Sequence, residues 1–270
     1  MRTRPMLVRS NKRAARCRWV TGVRNNGFSG QLNVHQSAGP EATSIDNANS
    51  APGSAMTTRP SIPPLPPAAA LERLSMLAAS GRRCMLGLVG PPGAGKSTLA
   101  AALQAAWPEA SQVVPMDGFH LANSELARLG RAGRKGAPDT FDAAGFAALL
   151  QRLREQAPEE VVYAPEFRRE IEEPVAGAIA LRADTRLLIV EGNYLLLGDE
   201  LWAPVAAQLD QVWYIDVDEA LRRQRLVARH QAFGRSADAA RAWVEQTDEP
   251  NARRIAACRH RADWCVRWDA

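Results

Sequence analysis

The 270-residue sequence is poor in the features that mark secreted, membrane-spanning and repeat proteins. Its four cysteines, Cys17, Cys84, Cys258 and Cys265, are too few and too scattered to form the disulfide framework of a domain this large. No run of 18 apolar residues occurs, so we expect no membrane span. No internal repeat is visible. These absences favour an ordinary globular domain in a reducing cytoplasm, with no membrane partner.

Three residues with metal-ligand chemistry fall close together near the C-terminus. Cys258, His260 and Cys265 lie within eight residues, but their spacing matches no familiar zinc pattern, and they lead into what reads as a last strand. We therefore expect them to be buried or spectator residues.

Acidic residues are almost missing from the first 60 positions. This segment has nine Lys and Arg residues but only Glu41 and Asp46, a formal charge of +7. The other 210 residues hold 25 basic and 27 acidic groups, so the net charge of +5 belongs to the N-terminal segment. The basic composition is therefore no evidence for a nucleic-acid surface on the folded domain.

Residues 1–67 lack apolar periodicity and end in the proline-rich stretch 60–67. We predict a disordered basic extension with a stiff polyproline end, followed by one domain over residues 68–270. The extension is typical of an organellar transit peptide, of sequence upstream of a true start at Met56, or of a nucleic-acid-binding arm. The sequence leaves these alternatives open.

Residues 90–97 read Gly-Pro-Pro-Gly-Ala-Gly-Lys-Ser, a complete phosphate-binding loop. An apolar run of strand length, 84–89, precedes it, and the strong helix former 98–106 follows it. In such a setting, backbone N–H groups and the helix dipole converge on an anion. We predict nucleoside triphosphate binding by Gly90, Gly93, Ala94, Gly95, Lys96, Ser97 and Thr98, with Lys96 among the terminal phosphates and the Ser97 hydroxyl on Mg²⁺.

Beyond residue 67, predicted helices and strands alternate, which indicates a mainly parallel sheet with helices on both faces. The predicted fold class is an α/β/α sandwich with a small inserted hairpin, at residues 161–167 and the Glu- and Pro-rich stretch after them, and a helical lid. Ligands of such sheets bind at the carboxyl ends of the strands. Asp117 and Glu191 each follow a predicted strand, so we expect both to face the phosphate loop across one crevice.

These two carboxylates suit phosphoryl transfer to an alcohol, which needs a triphosphate clamp, a metal ion and a carboxylate near the acceptor hydroxyl. We assign Asp117 as the base and Glu191, with Ser97, as the Mg²⁺ ligands. A turn-forming Asp-Gly at residues 117–118 and a purely structural Glu191 are the simpler alternatives.

From about Leu71 to the C-terminus, the sequence resembles the phosphoribulokinase and uridine kinase family of P-loop metabolite kinases. Asp117-Gly-Phe, the segment Arg134-Lys-Gly-Ala-Pro-Asp-Thr-Phe-Asp and Val190-Glu-Gly-Asn-Tyr-Leu look like segments of bacterial type I pantothenate kinase. The chain also resembles a less characterised branch named nucleoside or nucleotide kinase, or fructose-transport-system kinase. The resemblance implies phosphate stabilisation by Lys96, Mg²⁺ binding by Ser97 and Glu191, and action of Asp117 on the acceptor hydroxyl.

The resemblance weakens at the substrate wall, where this chain has Tyr163-Ala-Pro-Glu-Phe-Arg-Arg instead of the family's segments. Substrate specificity therefore cannot be transferred. A basic acceptor pocket would suit a carboxylate or phosphate, and its candidate residues are His120, Arg134, Lys135, Tyr163, Arg169 and Tyr194.

The predicted helix over residues 218–232 carries a basic face, and we predict that it forms the helical lid over the triphosphate. Arg222, Arg225 and Arg229 are spaced i, i+3 and i+7, and Arg235 marks a turn at its tip. We expect Arg225 to be the catalytic arginine, because Arg-Leu-x-x-Arg resembles the family lid helix; a solvated basic face is the alternative.

The predicted function is an ATP- and Mg²⁺-dependent kinase acting on a hydroxyl of a nucleoside, pantothenate or a sugar such as fructose, with a homodimer left open. A switch GTPase would need Asn-Lys-x-Asp, and the only Asn-Lys pair, at residues 11–12, is followed by Arg-Ala. A non-catalytic nucleotide-sensing regulator is the remaining rival, disfavoured by the presence of Asp117 and Glu191.

Overall fold

The computed structural model of the protein describes residues 66–79, 81–199 and 201–269. The predicted disordered extension therefore lies, apart from its last two prolines, outside the described residues. The strands are β1 Cys84–Val89, β2 Ser111–Pro115, β3 Val161–Arg168, β4 Glu173–Arg182, β5 Leu187–Gly192, β6 Gln211–Asp216 and β7 Trp264–Arg267. The α-helices are α1 Ala68–Ala78, α2 Lys96–Ala106, α3 Asn123–Arg128, α4 Ala143–Arg154, α5 Ala203–Ala207, α6 Glu219–Ala232, α7 Ala237–Trp243 and α8 Glu249–Ala257.

Five strands form the central sheet in the order β2-β5-β1-β6-β7, and every neighbouring pair is parallel. Parallel strands need crossover connections, which the helices provide. The carboxyl ends of β1, β2 and β5 consequently meet at one edge of the sheet, as the alternating sequence pattern predicts.

Both faces of this sheet are covered, which gives the three layers expected from the sequence. All six residues of β1 are buried, and they alternate between two cores. Met85 and Val89 pack with α4 and the segment after β5, whereas Leu86 and Leu88 pack with α1 and α2. A strand buried on both faces loses the polar alternation of a half-exposed strand. The predicted α/β/α sandwich is confirmed.

The predicted insertion is present as the antiparallel hairpin β3–β4, which forms a separate two-stranded sheet. It packs on the turn that follows β2. Gly118 in that turn lies so close to β3 that an added β-carbon would be 2.2 Å from the Pro165 carbonyl oxygen. The absence of a side chain at Gly118 thus lets the hairpin approach the end of β2.

Helix boundaries follow local chemistry. The Asp142 carboxylate accepts a hydrogen bond from the Gly145 amide at 2.8 Å and caps α4, as predicted. Asp218 caps α6 in the same way. Between α7 and α8, residues Val244–Asp248 form a π-helical turn, a feature that often marks functional sites.

In the part of the chain that the structure describes, no helix combines the length and the apolar character needed to cross a membrane.

Candidate active site

The phosphate loop joins β1 to α2 in a tight left-handed path. Gly93 and Gly95 both have φ of +80°, a conformation that favours glycine, and Gly95 is the N-cap of α2. At Gly90 an added β-carbon would be 3.1 Å from the Ile215 carbonyl oxygen. The loop therefore needs its glycines, and the free N–H groups at the start of α2 form the anion site that the sequence predicts.

A cleft of about 450 Å³ opens at the carboxyl edge of the sheet beside this loop. Its walls come from the phosphate loop, the ends of β2 and β5, the tip of the β3–β4 hairpin and helices α6 to α8. Four of the predicted site residues at the sheet edge line it together: Lys96, Ser97, Asp117 and Glu191. Ala94 is fully buried beneath the loop, and Thr98 is exposed on the first turn of α2.

Lys96 and Glu191 influence each other electrostatically, and their pKa values are shifted toward each other. Burial lowers the pKa of the Lys96 ammonium to about 8, against the opposing influence of Glu191 and Asp117. Burial, followed by repulsion from Asp117, raises the pKa of the Glu191 carboxyl to about 7. The Lys96 ammonium donates to the Pro91 carbonyl oxygen at 3.1 Å. Such perturbed groups in a cleft are typical of active sites.

Ser97 and Glu191 fit a magnesium site. The Ser97 hydroxyl donates to Glu191 Oε1 at 3.1 Å, so one hydroxyl and one carboxylate oxygen already lie together at the cleft floor. Mg²⁺ is usually held by one or two carboxylates together with substrate phosphates and water, which matches this small donor set. No group of three or more His, Cys, Asp and Glu side chains suitable for a metal occurs among the described residues.

Asp117 lies in a 3₁₀ turn directly after β2, with its carboxylate in the cleft. Arg169, on the hairpin, donates to Asp117 Oδ2 at 3.3 Å. His120 Nδ1 lies 2.8 Å from the Asp117 carbonyl oxygen and must be the donor, because a carbonyl only accepts. Burial lowers the pKa of His120, which favours the neutral ring and leaves Nε2 as an acceptor. The structure therefore brings Asp117, His120 and Arg169 together.

The hairpin tip is fastened over the cleft by neighbouring polar groups. The backbone N–H of Asn123 donates to both carboxylate oxygens of Glu173, at 3.0 and 3.2 Å. The Lys135 ammonium donates to the Glu172 carbonyl and the Asn123 side chain. Glu172 has φ of +52°, the one non-glycine in the left-handed region among the described residues. Lys135 lines the cleft as predicted, but its hydrogen bonds hold the hairpin rather than a substrate.

The three arginines of the face predicted on α6 lie in three different surroundings. Arg222 is buried and paired with Glu249, and it lies outside the cleft. Arg225 lies beside Gly95 and donates to the Asp269 carbonyl oxygen at 2.8 Å, also outside the cleft lining. Arg229 lines the cleft and has no ion pair with a described carboxylate. Burial, followed by the nearby charge of Arg169, lowers its pKa. Of the three α6 arginines, Arg229 therefore lines the cleft, whereas Arg225, the predicted catalytic arginine, lies beside Gly95 of the phosphate loop.

Arg235 also lines the cleft, with its guanidinium 4.0 Å from the centre of the Trp243 ring. It remains exposed at the turn after α6, where the sequence places it.

Three predicted acceptor-pocket residues do not line the cleft. Arg134 pairs with Asp139 in an exposed loop. Tyr163 is 59% exposed on β3, where alternation points it away from the packed face. Tyr194 is fully buried, packs on Phe141 and Trp202, and donates to the Gly136 carbonyl oxygen. These positions correct the predicted substrate wall.

The structure adds a group of polar residues that the sequence prediction misses: Asn193, His230, Thr247, Asp248 and Asn251. Asn193 follows Glu191 by two residues, and its Oδ1 is buried without a hydrogen-bond partner in the described chain. The others come from α6, the π-helical turn and α8. Only Asn193 adjoins a recognised motif, so the rest had no sequence signal.

Proteins of similar sequence include kinases. The chain is 38% identical over 176 residues to "Putative uridine kinase C227.14" of Schizosaccharomyces pombe, covering 62% of this chain and 74% of that protein. It is 41% identical over 133 residues to "ATP-dependent kinase-like protein notR'" of Aspergillus versicolor, covering 47% of this chain and 77% of that protein. No protein-family profile matches the chain.

A solved structure agrees with these relatives. The crystal structure of a "putative fructose transport system kinase" from Silicibacter sp. TM1040 superposes with a TM-score of 0.64 at 37% identity, covering 73% of this chain and 98% of that one. YFH7 of Saccharomyces cerevisiae, at 20% identity and a TM-score of 0.62, shares the fold. The chain therefore belongs to the phosphoribulokinase and uridine kinase family of ATP-dependent P-loop kinases.

Proposed function

We propose that the protein transfers the γ-phosphoryl group of ATP, with Mg²⁺, to a hydroxyl group of a small metabolite. The observation that carries this proposal is the meeting of Lys96, Ser97, Glu191 and Asp117 in one cleft at the carboxyl edge of the sheet. Phosphoryl transfer depends mainly on positioning and on stabilising charge, and these side chains supply both.

Positive charge in the cleft supports triphosphate binding. Lys96 and the N-terminus of α2 lie at the phosphate loop, and Arg229 faces the same space without a carboxylate partner. Arg229 is half-buried beside a second arginine, Arg169, and bound negative charge would offset the repulsion between them. A phosphate group supplies that charge, so Arg229 is the residue we expect at the transferred group.

Asp117 is the group proposed to act on the acceptor. Its carboxylate accepts the proton of the attacking hydroxyl and fixes the direction in which that oxygen faces the γ-phosphate. Arg169 restrains the carboxylate from the hairpin side, and the backbone of Asp117 is anchored by His120. The base is therefore held by two elements that the sequence separates by about 50 residues.

Mg²⁺ bound by Ser97 and Glu191 would neutralise charge on the phosphate oxygens. Among the described residues, the Ser97 hydroxyl donates a hydrogen bond to Glu191 alone. The hydroxyl oxygen of Ser97 and the carboxylate of Glu191 would therefore be available to the ion, together with water and phosphate.

The first experiment measures ATP consumption with Mg²⁺ over a panel of nucleosides, pantothenate, sugars and polyols, with mass spectrometry to identify any product that gains a phosphoryl group. Lys96→Ala is expected to lower transfer by about 10³-fold, since a charge at the developing phosphate typically contributes that much. Arg128→Ala, which removes an exposed arginine paired with Glu125, is the control.

The proposal is supported if at least one compound is phosphorylated and if this activity is lost in Lys96→Ala but kept in Arg128→Ala. Tight ATP binding with no phosphorylated product from any acceptor contradicts it and favours the nucleotide-sensing regulator.

A further inference from the structure

Two buried charges lie beside the phosphate loop but outside the cleft. Arg222 of α6 and Glu249 of α8 are 3% and 5% exposed and form an ion pair. Neither side chain lines the cleft, so neither takes part in the proposed transfer chemistry. An ion pair buried in this way often stabilises a fold no better than apolar residues of the same size. Its value is therefore expected to lie in what it holds in place.

The Arg222 guanidinium joins α8 to the phosphate loop. Its Nη2 donates to Glu249 Oε1, and its Nη1 donates to the Pro92 carbonyl oxygen at a long 3.4 Å. A planar guanidinium presents several N–H groups in fixed directions, so a single side chain can hold both acceptors, which a lysine ammonium does less well. The position of Pro92 is therefore tied to that of Glu249.

Helix α6 also packs on the next residue of the loop. Gly93 has φ of +80°, and an added β-carbon there would be 2.9 Å from the Arg222 carbonyl oxygen and 3.1 Å from Arg222 Cγ. The same β-carbon would be 2.9 Å from Cγ of Leu226, one turn further along α6. Arg222 therefore contacts the loop at two consecutive residues, through its guanidinium at Pro92 and through its backbone and Cγ at Gly93.

Glu249 is itself held by groups outside the loop. Its Oε2 accepts a hydrogen bond from Arg223 Nη2 at 2.9 Å, and it is the first residue of α8, where the helix dipole favours a negative charge. The preceding residue, Asp248, has its Oδ2 2.8 Å from His230 Nε2. Asp248 and Glu249 thus contact α6 at residues 230 and 222, about two helical turns apart. The start of α8 is therefore a firm support for Arg222.

We propose that Arg222 and Glu249 are positioning residues of the phosphate loop, and that their ion pair holds Pro92 and Gly93 so that the loop amides face the phosphates of ATP. Donors that are already in place bind more tightly, because little ordering is needed when the ligand arrives. The pair acts through the loop, without contact to the ligand. The inference goes beyond the proposed function and takes from it only that the loop binds ATP.

The test measures binding of a non-hydrolysable ATP analogue with Mg²⁺ to the full chain by calorimetry, and hydrogen exchange of the loop amides 93–96 in the free protein. Arg222→Lys keeps the charge but loses the planar fork, and Glu249→Gln keeps the shape but loses the charge. In both variants the dissociation constant should rise about tenfold, the effect of losing one hydrogen bond from a charged group. The loop amides should exchange faster, while those of β5 exchange as in the wild type.

Arg223→Lys is the matched control for these variants. Arg223 is the neighbour of Arg222 on α6 and binds the same carboxylate from the exposed side of the helix. Nucleotide affinity and loop exchange in Arg223→Lys should stay close to those of the wild type.

A double variant, Arg222→Met with Glu249→Leu, separates positioning from stability. Replacing both members of a buried ion pair by apolar residues often preserves or raises stability. The inference predicts that urea unfolding of the double variant resembles that of the wild type, while its nucleotide dissociation constant stays about tenfold higher.

Wild-type nucleotide affinity in the double variant overturns the inference, as do equal affinities of Arg222→Lys and Arg223→Lys. Exchange that is faster over the whole domain, or failure of every variant of the pair to fold, also overturns it, because the pair would then support the core alone. No acceptor is present in these measurements. Their outcome is therefore separate from that of the transfer assay, and either proposal can fail while the other holds.

Discussion

At the scale of single residues, the site is governed by a buried carboxyl group, that of Glu191, and a half-buried ammonium group, that of Lys96, beside the phosphate loop. Lys96 and Glu191 lie in the same cleft as Asp117, with pKa values of about 8 and about 7 for the first two. Burial penalises both charges when no ligand is present. Bound phosphates would supply the counter-charge for the Lys96 ammonium, and a divalent cation would supply that for the Glu191 carboxylate. The shifted pKa values are therefore what a site for a charged ligand is expected to show when it is empty.

The pKa of Glu191 predicts how metal binding depends on pH. Below about pH 7 the carboxyl holds a proton that competes with Mg²⁺, and above it the carboxylate is free. Affinity for Mg²⁺ in the presence of ATP should therefore rise with pH, by about tenfold between pH 6 and pH 8. Calorimetric titration at several pH values measures this rise.

Glu191→Gln is the matched variant for this titration. ATP itself binds protons, but it does so equally with both proteins, so the difference between them isolates Glu191. A wild-type curve that stays parallel to that of Glu191→Gln would show that Glu191 does not bind the ion.

Residue-level prediction from sequence succeeds where a motif fixes the backbone. The phosphate loop, Asp117 and Glu191 were predictable because each lies at or just after the end of a parallel strand, and these strand ends share one edge. Tyr163 and Tyr194 were wrongly placed, because one step along a strand or turn reverses the direction of a side chain. Asn251 and Thr247 were missed, since neither residue adjoins a recognised motif.

At the scale of elements, the β3–β4 hairpin shapes the acceptor side by resting on the turn that carries Asp117. Gly118→Ala would place a β-carbon 2.2 Å from the Pro165 carbonyl oxygen, so the hairpin must shift. We expect a loss of about 1–3 kcal/mol in the free energy of unfolding, as in other overpacked sites. Urea unfolding measures the change.

The same experiment on Gly133→Ala provides the control, because a β-carbon there meets no atom within 4 Å. Its stability should change by less than about 0.5 kcal/mol. Equal stability of the two variants would refute the close packing of hairpin and turn.

The hairpin tip gives a second prediction for this element. Glu173→Gln weakens the contact with the Asn123 amide and loosens the segment that carries Arg169. The KM for the acceptor should rise by about 5–20-fold, corresponding to a charge-assisted hydrogen bond of roughly 1–2 kcal/mol, while ATP affinity stays constant. Steady-state kinetics with each substrate varied in turn separates the two effects.

Glu170→Gln, an exposed position on the same hairpin, should behave like the wild type in that assay. An unchanged acceptor KM in Glu173→Gln would mean that the tip has no part in acceptor binding.

The elements themselves were largely predictable. Strand β1, helix α2 and the capped helix α4 begin within two residues of their predicted starts, because loop glycines and an N-cap aspartate fix those ends locally. The three arginines of α6 have the predicted helical spacing, but they do not all face the cleft. Helical spacing places Arg222, Arg225 and Arg229 on one side, yet Glu249 from α8 draws Arg222 into a buried ion pair. That partner is distant in sequence.

At the scale of the whole molecule, every described residue that lines the cleft lies in the range from Pro92 to Asn251, whereas the excess positive charge lies within the first 60 residues. A protein that begins at Met56 should therefore keep ATP-dependent transfer within about twofold of the full chain, since the residues proposed to carry the chemistry all belong to the described domain. Parallel assays of the two proteins measure the ratio. A large loss of activity would assign the basic segment a role in the site.

The most direct test of the central claim is transfer from isotopically labelled ATP to the accepted acceptor by the wild type and by Asp117→Asn, with ATP affinity measured on the same samples. If Asp117 is the base, Asp117→Asn binds ATP as tightly as the wild type but transfers the γ-phosphoryl group about 10²–10⁴-fold more slowly, the usual contribution of a general base. Transfer at the wild-type rate in Asp117→Asn would contradict it.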